Sequence, residues 1–85
     1  MIKSWTDGAW EDYLYWQSAD KRILKRINAL IVDIERNGNN GIGKPESLKN
    51  NLQGYWSRRI NSEHRLIYAL KEAQIIIVAC RYHYS

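Results

Sequence analysis

Glu46 and His83 are side chains suited to moving a proton, and they accompany a set of cations, Lys44, Lys49, Arg59 and Arg65. Attack of a ribose 2′-hydroxyl on its own 3′ phosphate needs a base for the hydroxyl proton, an acid for the departing 5′ oxygen, and cations for the charge that develops on phosphate. Glu46 fits the base. His83 fits the acid, because an unperturbed imidazole titrates at about 6.5 and passes protons either way near neutrality. Arg59 and Arg65 suit bidentate bonding to nonbridging oxygens, and Tyr84, with Tyr55, suits stacking on a base. Neither a metal nor a cofactor is required by this chemistry.

Each of these residues also has a plainer reading. Glu46 follows Pro45 in a polar loop, where a solvated carboxylate is common, and Arg59 and Arg65 could simply fringe a hairpin. Glu63 stands two residues before Arg65 and either orients it or takes a catalytic part. His64 reads as a turn residue with no role, and Cys80 as a small core residue that, with His83, lacks the further ligands a zinc site needs. Strand alternation leaves the two arginines open. If Ile60 faces Arg65 across the NSEH connection, Arg59 and Arg65 point to opposite faces; a bulge or an odd loop brings them together.

The scaffold for these residues is small. At 85 residues the chain is expected to be one domain over residues 1–85. It has no Phe, so four Trp and six Tyr supply the aromatic bulk, and both types bring a polar handle with their area. Residues 1–41 balance their charges, whereas residues 42–85 carry Lys44, Lys49, Arg58, Arg59, Arg65, Lys71 and Arg81 against Glu46, Glu63 and Glu72, so the whole excess of +4 is C-terminal. A basic half beside aromatics points to a polyanion partner, and fits a solvated surface as well. Cys80 is the only cysteine, which rules out an internal disulfide and makes the cytoplasm the expected compartment. No apolar stretch approaches the roughly 20 residues that span a bilayer, and MIKSWTDGAW lacks the apolar region of a signal peptide.

Residues 2–5 read as a short strand, with Thr6 or Asp7 capping a first helix marked by Trp10, Tyr13, Leu14 and Gln17. Ser18 or Asp20 can cap a second helix, in which Ile23, Ile27, Leu30, Ile31 and Ile34 recur at helical spacing and form a core stripe. The opposite face holds Lys21, Arg22, Lys25 and Arg26, like charges at i,i+4 that also crowd the positive helix end, while Asp33 and Glu35 sit near the negative end. That face fits solvent, and equally a phosphate-rich surface. RNGNNGIGKP is a loop without the strand, helix and Lys-Ser/Thr context of a phosphate-binding loop. Strands are expected over residues 55–60, 65–70 and 75–82, joined by NSEH and KEAQ as antiparallel hairpins. Arg81, Tyr82 and His83 would then continue the last strand. The expected class is α+β, two helices packed on one face of a small antiparallel sheet.

WEDYLYWQ, GKPESLKNNLQGYWSRRINSEHRLIYAL and the ending ACRYHY closely resemble the YoeB family of toxins, in the RelE/ParE superfamily of bacterial type II toxin–antitoxin systems. The resemblance spans nearly the whole chain and is weakest in RNGNNG and KEAQ. It implies a ribosome-dependent endoribonuclease that cuts mRNA in the A-site codon and is held inactive by a YefM-type antitoxin. By position it puts the general base on Glu46, the general acid on His83 and the phosphate-binding arginine on Arg65. Arg59, Lys44 and Lys49 become supporting cations, and Tyr84 completes the terminal site. A homodimer and the small ribosomal subunit, with its RNA, enter as expected partners, the latter giving Lys21, Arg22, Lys25 and Arg26 a use. The rival expectation is a nucleic-acid-binding module or a gyrase-directed toxin of the ParE branch, which needs basic surface but no acid and base together.

Overall fold

The computed structural model describes residues 1–82, so the expected site residues His83 and Tyr84 lie outside it. The chain forms β1 (Ile2–Trp5), α1 (Asp7–Ala19), α2 (Lys21–Asn37), β2 (Glu46–Ser47), β3 (Trp56–Arg59), β4 (Arg65–Lys71) and β5 (Gln74–Ala79). A single 3-10 turn, Asn50–Leu52, follows β2.

Local chemistry sets the helix ends. Thr6 caps α1, its hydroxyl accepting from the Ala9 N–H at 3.1 Å, and Asp20 alone separates the two helices. The Asp20 carboxylate accepts from Arg22 N and Ile23 N at 2.9 and 3.4 Å. A negative cap here offsets the Lys21 and Arg22 charges against the helix dipole. The unfavourable acids at the other end are answered from outside the helix: Glu35 meets Lys3 Nζ at 3.2 Å and the terminal amine at 3.6 Å, and Asp33 meets Arg58.

The α2 stripe is core as its period requires, with Ile27, Leu30 and Ile34 wholly buried and Ile31 nearly so, while Ile23 packs at the margin. It lies on Leu66 and Tyr68 of β4 and Ile75 and Ile77 of β5, with Ala9 and Trp16 of α1 joining the same core. Both helices therefore cover one face of the sheet. Among the described residues no helix is long and apolar enough to cross a membrane.

The sheet differs from the expected antiparallel one. Its strand order is β1-β5-β4-β3-β2, and β1 runs parallel to β5, with Ile2 opposite Gln74 and Trp5 opposite Ile77; the sheet is mixed. The two partners are some 70 residues apart in sequence, so hairpin logic gives no information about their direction. The helix pair carries the chain across the sheet between them, and β1 covers the free edge of β5. Glu46–Ser47, expected as loop, pairs antiparallel with β3 as a fifth strand.

The last strand also ends earlier than expected. A register shift between Ile67 and Tyr68 sets Ala79 opposite Ile67 but Ile77 opposite Tyr68, leaving Val78 as an extra residue. Such a bulge changes the phase of the side chains that follow, and Cys80 turns under α1 with no exposed surface. There its N–H donates to Asp12 Oδ2 at 3.0 Å and its carbonyl accepts from Trp16 Nε1 at 2.8 Å. With both backbone groups taken by α1, the chain leaves the ladder at Ala79, and Arg81 and Tyr82 form a bend. Burial, with Asp12 adding to it, pushes the Cys80 thiol up to about 12, which makes it an inert core group.

Candidate active site

The β3–β4 register resolves the two arginines. Arg59 stands directly opposite Arg65, Arg58 opposite Leu66, and Ser57 opposite Ile67. Directly opposed side chains emerge on the same face, so Arg59 and Arg65 share one face while Arg58 joins the helix side with Leu66. Glu46 stands opposite Ser57 and so shares the face of Arg59 and Arg65, away from the helices. Glu46 and Arg59 are exposed, and Arg65 is half-buried.

Arg65 is held by the turn before it. Its Nη1 donates to the carbonyls of Asn61 and His64 at 2.9 and 3.1 Å, and those bonds use both Nη1 hydrogens. Among the described residues no acceptor meets Nε or Nη2, which leaves that edge of the oriented guanidinium fork unengaged by them. The turn is rigid because Asn61 Oδ1 accepts from Glu63 N and His64 N at 2.9 and 2.7 Å, an Asx arrangement. Glu63 does not orient Arg65; its largely exposed carboxylate lies 3.6 Å from His64 Nε2 instead.

Lys44 follows a stretch of left-handed backbone. The Arg59 N–H donates to the Gly43 carbonyl at 2.6 Å, Gly43 has φ 80° and Lys44 has φ 50°. A side chain on Gly43 would meet Leu30 Cδ2 at 2.9 Å and the Arg59 backbone at 3.2 Å, so only glycine allows this approach. Lys44 and Lys49 flank β2, both exposed. Tyr55 lies further along, where it lines a cavity of about 250 Å³ with Ala69 and Ile76.

On α2, Lys21, Arg22 and Lys25 are exposed, Arg22 with its Nε 3.9 Å from Asp20 Oδ1, whereas Arg26 is only partly exposed. Its Nη2 donates to the Arg59 carbonyl at 3.2 Å, tying α2 to the strand that carries Arg59. A shallow groove of about 340 Å³ between Arg22, Arg26, Ile60 and Asn61 links this helix end to the β3–β4 turn. The basic helix end thus meets the backbone of the strand that carries Arg59, while the Arg59 and Arg65 side chains stand on the other face of the sheet.

Two residues gain roles that sequence reasoning had not assigned. Arg58, read as part of the basic surface, has no exposed surface at all. Its Nη1 donates to Asp33 Oδ2 at 2.6 Å and to Ile42 O at 2.7 Å, its Nη2 to Gly38 O at 2.6 Å, and its Nε to Tyr68 Oη at 3.2 Å. This guanidinium is the internal staple of the 38–43 loop. It also holds the Asp33 carboxyl below the usual range. His64, read as an inert turn residue, is only 7% exposed, and its Nδ1 accepts from the Tyr82 N–H at 2.8 Å. The nearest sequence signal was its place between an Asx turn and a strand, which does not distinguish a buried histidine from an exposed one.

The terminal segment is therefore fixed up to Tyr82. The Arg65 N–H donates to the Tyr82 carbonyl at 2.9 Å, and Tyr82 holds φ 66°, an uncommon conformation sustained by bonds at both its backbone groups. Arg81 stacks on aromatics, its guanidinium carbon 3.6 Å from the centre of the Tyr15 ring and 4.6 Å from that of Tyr82.

The family model described as "YoeB-like toxin of bacterial type II toxin-antitoxin system" matches residues 5–84. The toxin YoeB of Escherichia coli K12 is 59% identical over 80 residues, covering 94% of this chain and 95% of that protein. Among solved structures, a YoeB/ParE toxin from Agrobacterium tumefaciens superposes with a TM-score of 0.96 at 43% identity, over 99% of this chain and 100% of the other. The YoeB of Staphylococcus aureus, solved as a dimer and as a YoeB–YefM complex, superposes with a TM-score of 0.93 in both, at 52% and 50% identity, over 99% of this chain and 98% of the other.

Proposed function

The chain belongs to the YoeB-like toxins of bacterial type II toxin–antitoxin systems, and from that premise we propose that it is a ribosome-dependent endoribonuclease that cuts mRNA in the A-site codon. The observation that carries this reading is the register that puts Glu46, Arg59 and Arg65 on one face of the sheet. A binding module needs the cations; a nuclease needs a carboxylate among them.

In this reading Glu46 takes the proton of the ribose 2′-hydroxyl. The oxygen attacks the adjacent phosphorus, the bond to the 5′ oxygen breaks, and that oxygen leaves with a proton from His83; the products are a 2′,3′-cyclic phosphate and a free 5′-hydroxyl. The Nε and Nη2 edge of Arg65 pairs with the nonbridging oxygens and is already oriented before the charge develops, which is when preorganised donors count most. Arg59, Lys44 and Lys49 add positive potential, and Tyr84 and Tyr55 offer faces on which bases stack. Primer extension on a defined mRNA in a reconstituted translation reaction tests this. Discrete breaks within the A-site codon, present only with ribosomes, are expected. A folded chain that produces none would move the reading to a gyrase-directed or binding-only toxin.

The partners follow from the relatives. The S. aureus protein forms a YoeB–YefM complex and a dimer, and we infer a YefM-type antitoxin and a homodimeric state for this chain as well. The exposed Lys21, Arg22 and Lys25 are proposed to dock on ribosomal RNA. Changing all three to Gln should weaken ribosome binding and flatten its salt dependence by about 0.7–0.9 in log–log slope for each phosphate no longer neutralised. Unchanged affinity and slope would refute this use of α2.

A further inference from the structure

His64 is a buried polar group outside the set the proposed mechanism uses, and its surroundings are specific. Its ring stands edge-on to Trp16 at 4.8 Å and 72°, and the same Trp16 bonds the Cys80 carbonyl through Nε1. The Tyr82 N–H can only donate, so Nδ1 must offer its lone pair, which requires a neutral ring with the proton on Nε2. Residue 65 takes the other half of the same peptide region, its N–H donating to the Tyr82 carbonyl. Consecutive residues 64 and 65 therefore grip both backbone groups of Tyr82, one through a side chain and one through the backbone. Beyond Tyr82 the next residue is His83.

We propose that His64 is a positioning residue whose Nδ1 lone pair straps Tyr82 to the turn that orients Arg65, and so sets the register of His83 against the phosphate. This rests on the nuclease reading above. The strap couples two parts of the site that are distant in sequence. Arg65 Nη1 is aimed by the His64 carbonyl, while Tyr82 is held by the His64 imidazole. Displacement of the terminal segment by about 1 Å is enough to cost on the order of 10²-fold in rate when the acid must meet a leaving oxygen.

Three variants separate the lone pair from mere packing. Asn at 64 keeps an acceptor at the position of Nδ1, Gln moves the acceptor to the position of Nε2, and Leu removes it. If His64 only fills space, Asn, the smallest, leaves the largest void and should be the worst. If the lone pair matters, Asn should be the best. Single-turnover cleavage on saturating programmed ribosomes is expected to fall about 10²-fold in His64→Gln and His64→Leu, with the KM for ribosomes unchanged and most of the rate retained in His64→Asn. Amide exchange at Tyr82 gives an activity-independent readout and should accelerate in the Gln and Leu variants but not in Asn. Wild-type turnover in Gln or Leu, or an Asn variant as impaired as Leu, would overturn the proposal. A wild-type chain that cuts no mRNA would defeat the nuclease reading instead. Tyr82 exchange slower in Asn than in Gln and Leu would then still assign the strap to His64, and equal exchange in all three would remove it.

Discussion

Glu46→Gln and His83→Gln are each expected to slow ribosome-dependent mRNA cleavage by about 10²–10⁴-fold, the range for loss of a positioned acid or base, while ribosome binding and thermal unfolding stay as in the wild type. Glu46 is an exposed residue of a two-residue strand, so removing its charge costs the fold little. The double variant should be little worse than the poorer single one, because groups acting in one proton-transfer sequence are not additive. Deleting residues 83–85 should abolish cleavage to the same extent without unfolding the chain, since the bonds that Asp12, Trp16, His64 and Arg65 make to residues 80–82 are all retained. Cleavage at the wild-type rate in the truncated chain, measured by primer extension, would sink the assignment of the acid. Loss of ribosome binding in Glu46→Gln would show that its carboxylate acts in docking rather than in chemistry.

Arg58→Met should be the most destabilising single change in the basic half, by about 3 kcal/mol or more, because it takes the shared donor from the Gly38 and Ile42 carbonyls and from the partly buried Asp33 carboxylate, which keeps only its bonds from Asn37 and Ile42 N–H. For a chain of this size that lowers Tm by more than about 10 °C. The neighbouring Arg59→Met, on the opposite and exposed face, should change stability by no more than about 0.5 kcal/mol. Denaturant titration of the two variants side by side checks both expectations, and equal stability would refute the distinction. The pH dependence has a definite sign. The hydrogen bond from Arg58 holds the folded Asp33 carboxyl below its ordinary value, which for an unfolded chain is about 3.9. Its contribution is therefore complete above that pH and is lost as pH falls through the folded value. The gap between the wild type and Arg58→Met should narrow over that acid window, because the protonated carboxyl no longer needs the guanidinium. Since the same staple bonds the carbonyls of Gly38 and Ile42, its loss should also loosen the loop leading to Gly43 and Glu46.

Adjacent Arg58 and Arg59 show where sequence legibility ends. Both are cations in a strand, and alternation requires them to face opposite ways, yet only the pairing partners decide which one is inside. Arg58 goes inside because Asp33, two loop carbonyls and Tyr68 converge to satisfy its donors, a condition spread over residues 33 to 68. The candidate set Glu46, Arg65 and His83 was legible through residue chemistry and family resemblance, while the common face of Glu46, Arg59 and Arg65 was not. It depends on the Arg59–Arg65 register, which a turn shifted by one residue would have inverted. His64 was missed because burial follows from the arrival of Trp16 and Tyr82, neither of them near it in sequence.

By itself the sequence determined what lies within a few residues' reach: the apolar period of α2, a cap at Thr6 or Asp7 and another at Ser18 or Asp20, the loop RNGNNGIGKP and the hairpins across short connections. Steric and hydrogen-bonding preferences of that range act before any tertiary partner is present. Tertiary structure alone decided the parallel docking of β1 on β5, the early end of β5 at Ala79, the burial of Arg58 and the strap from His64 to Tyr82. Each is settled by a partner roughly 10 to 70 residues away, and a hydrogen bond or a buried face is satisfied by whichever group the whole fold delivers to it.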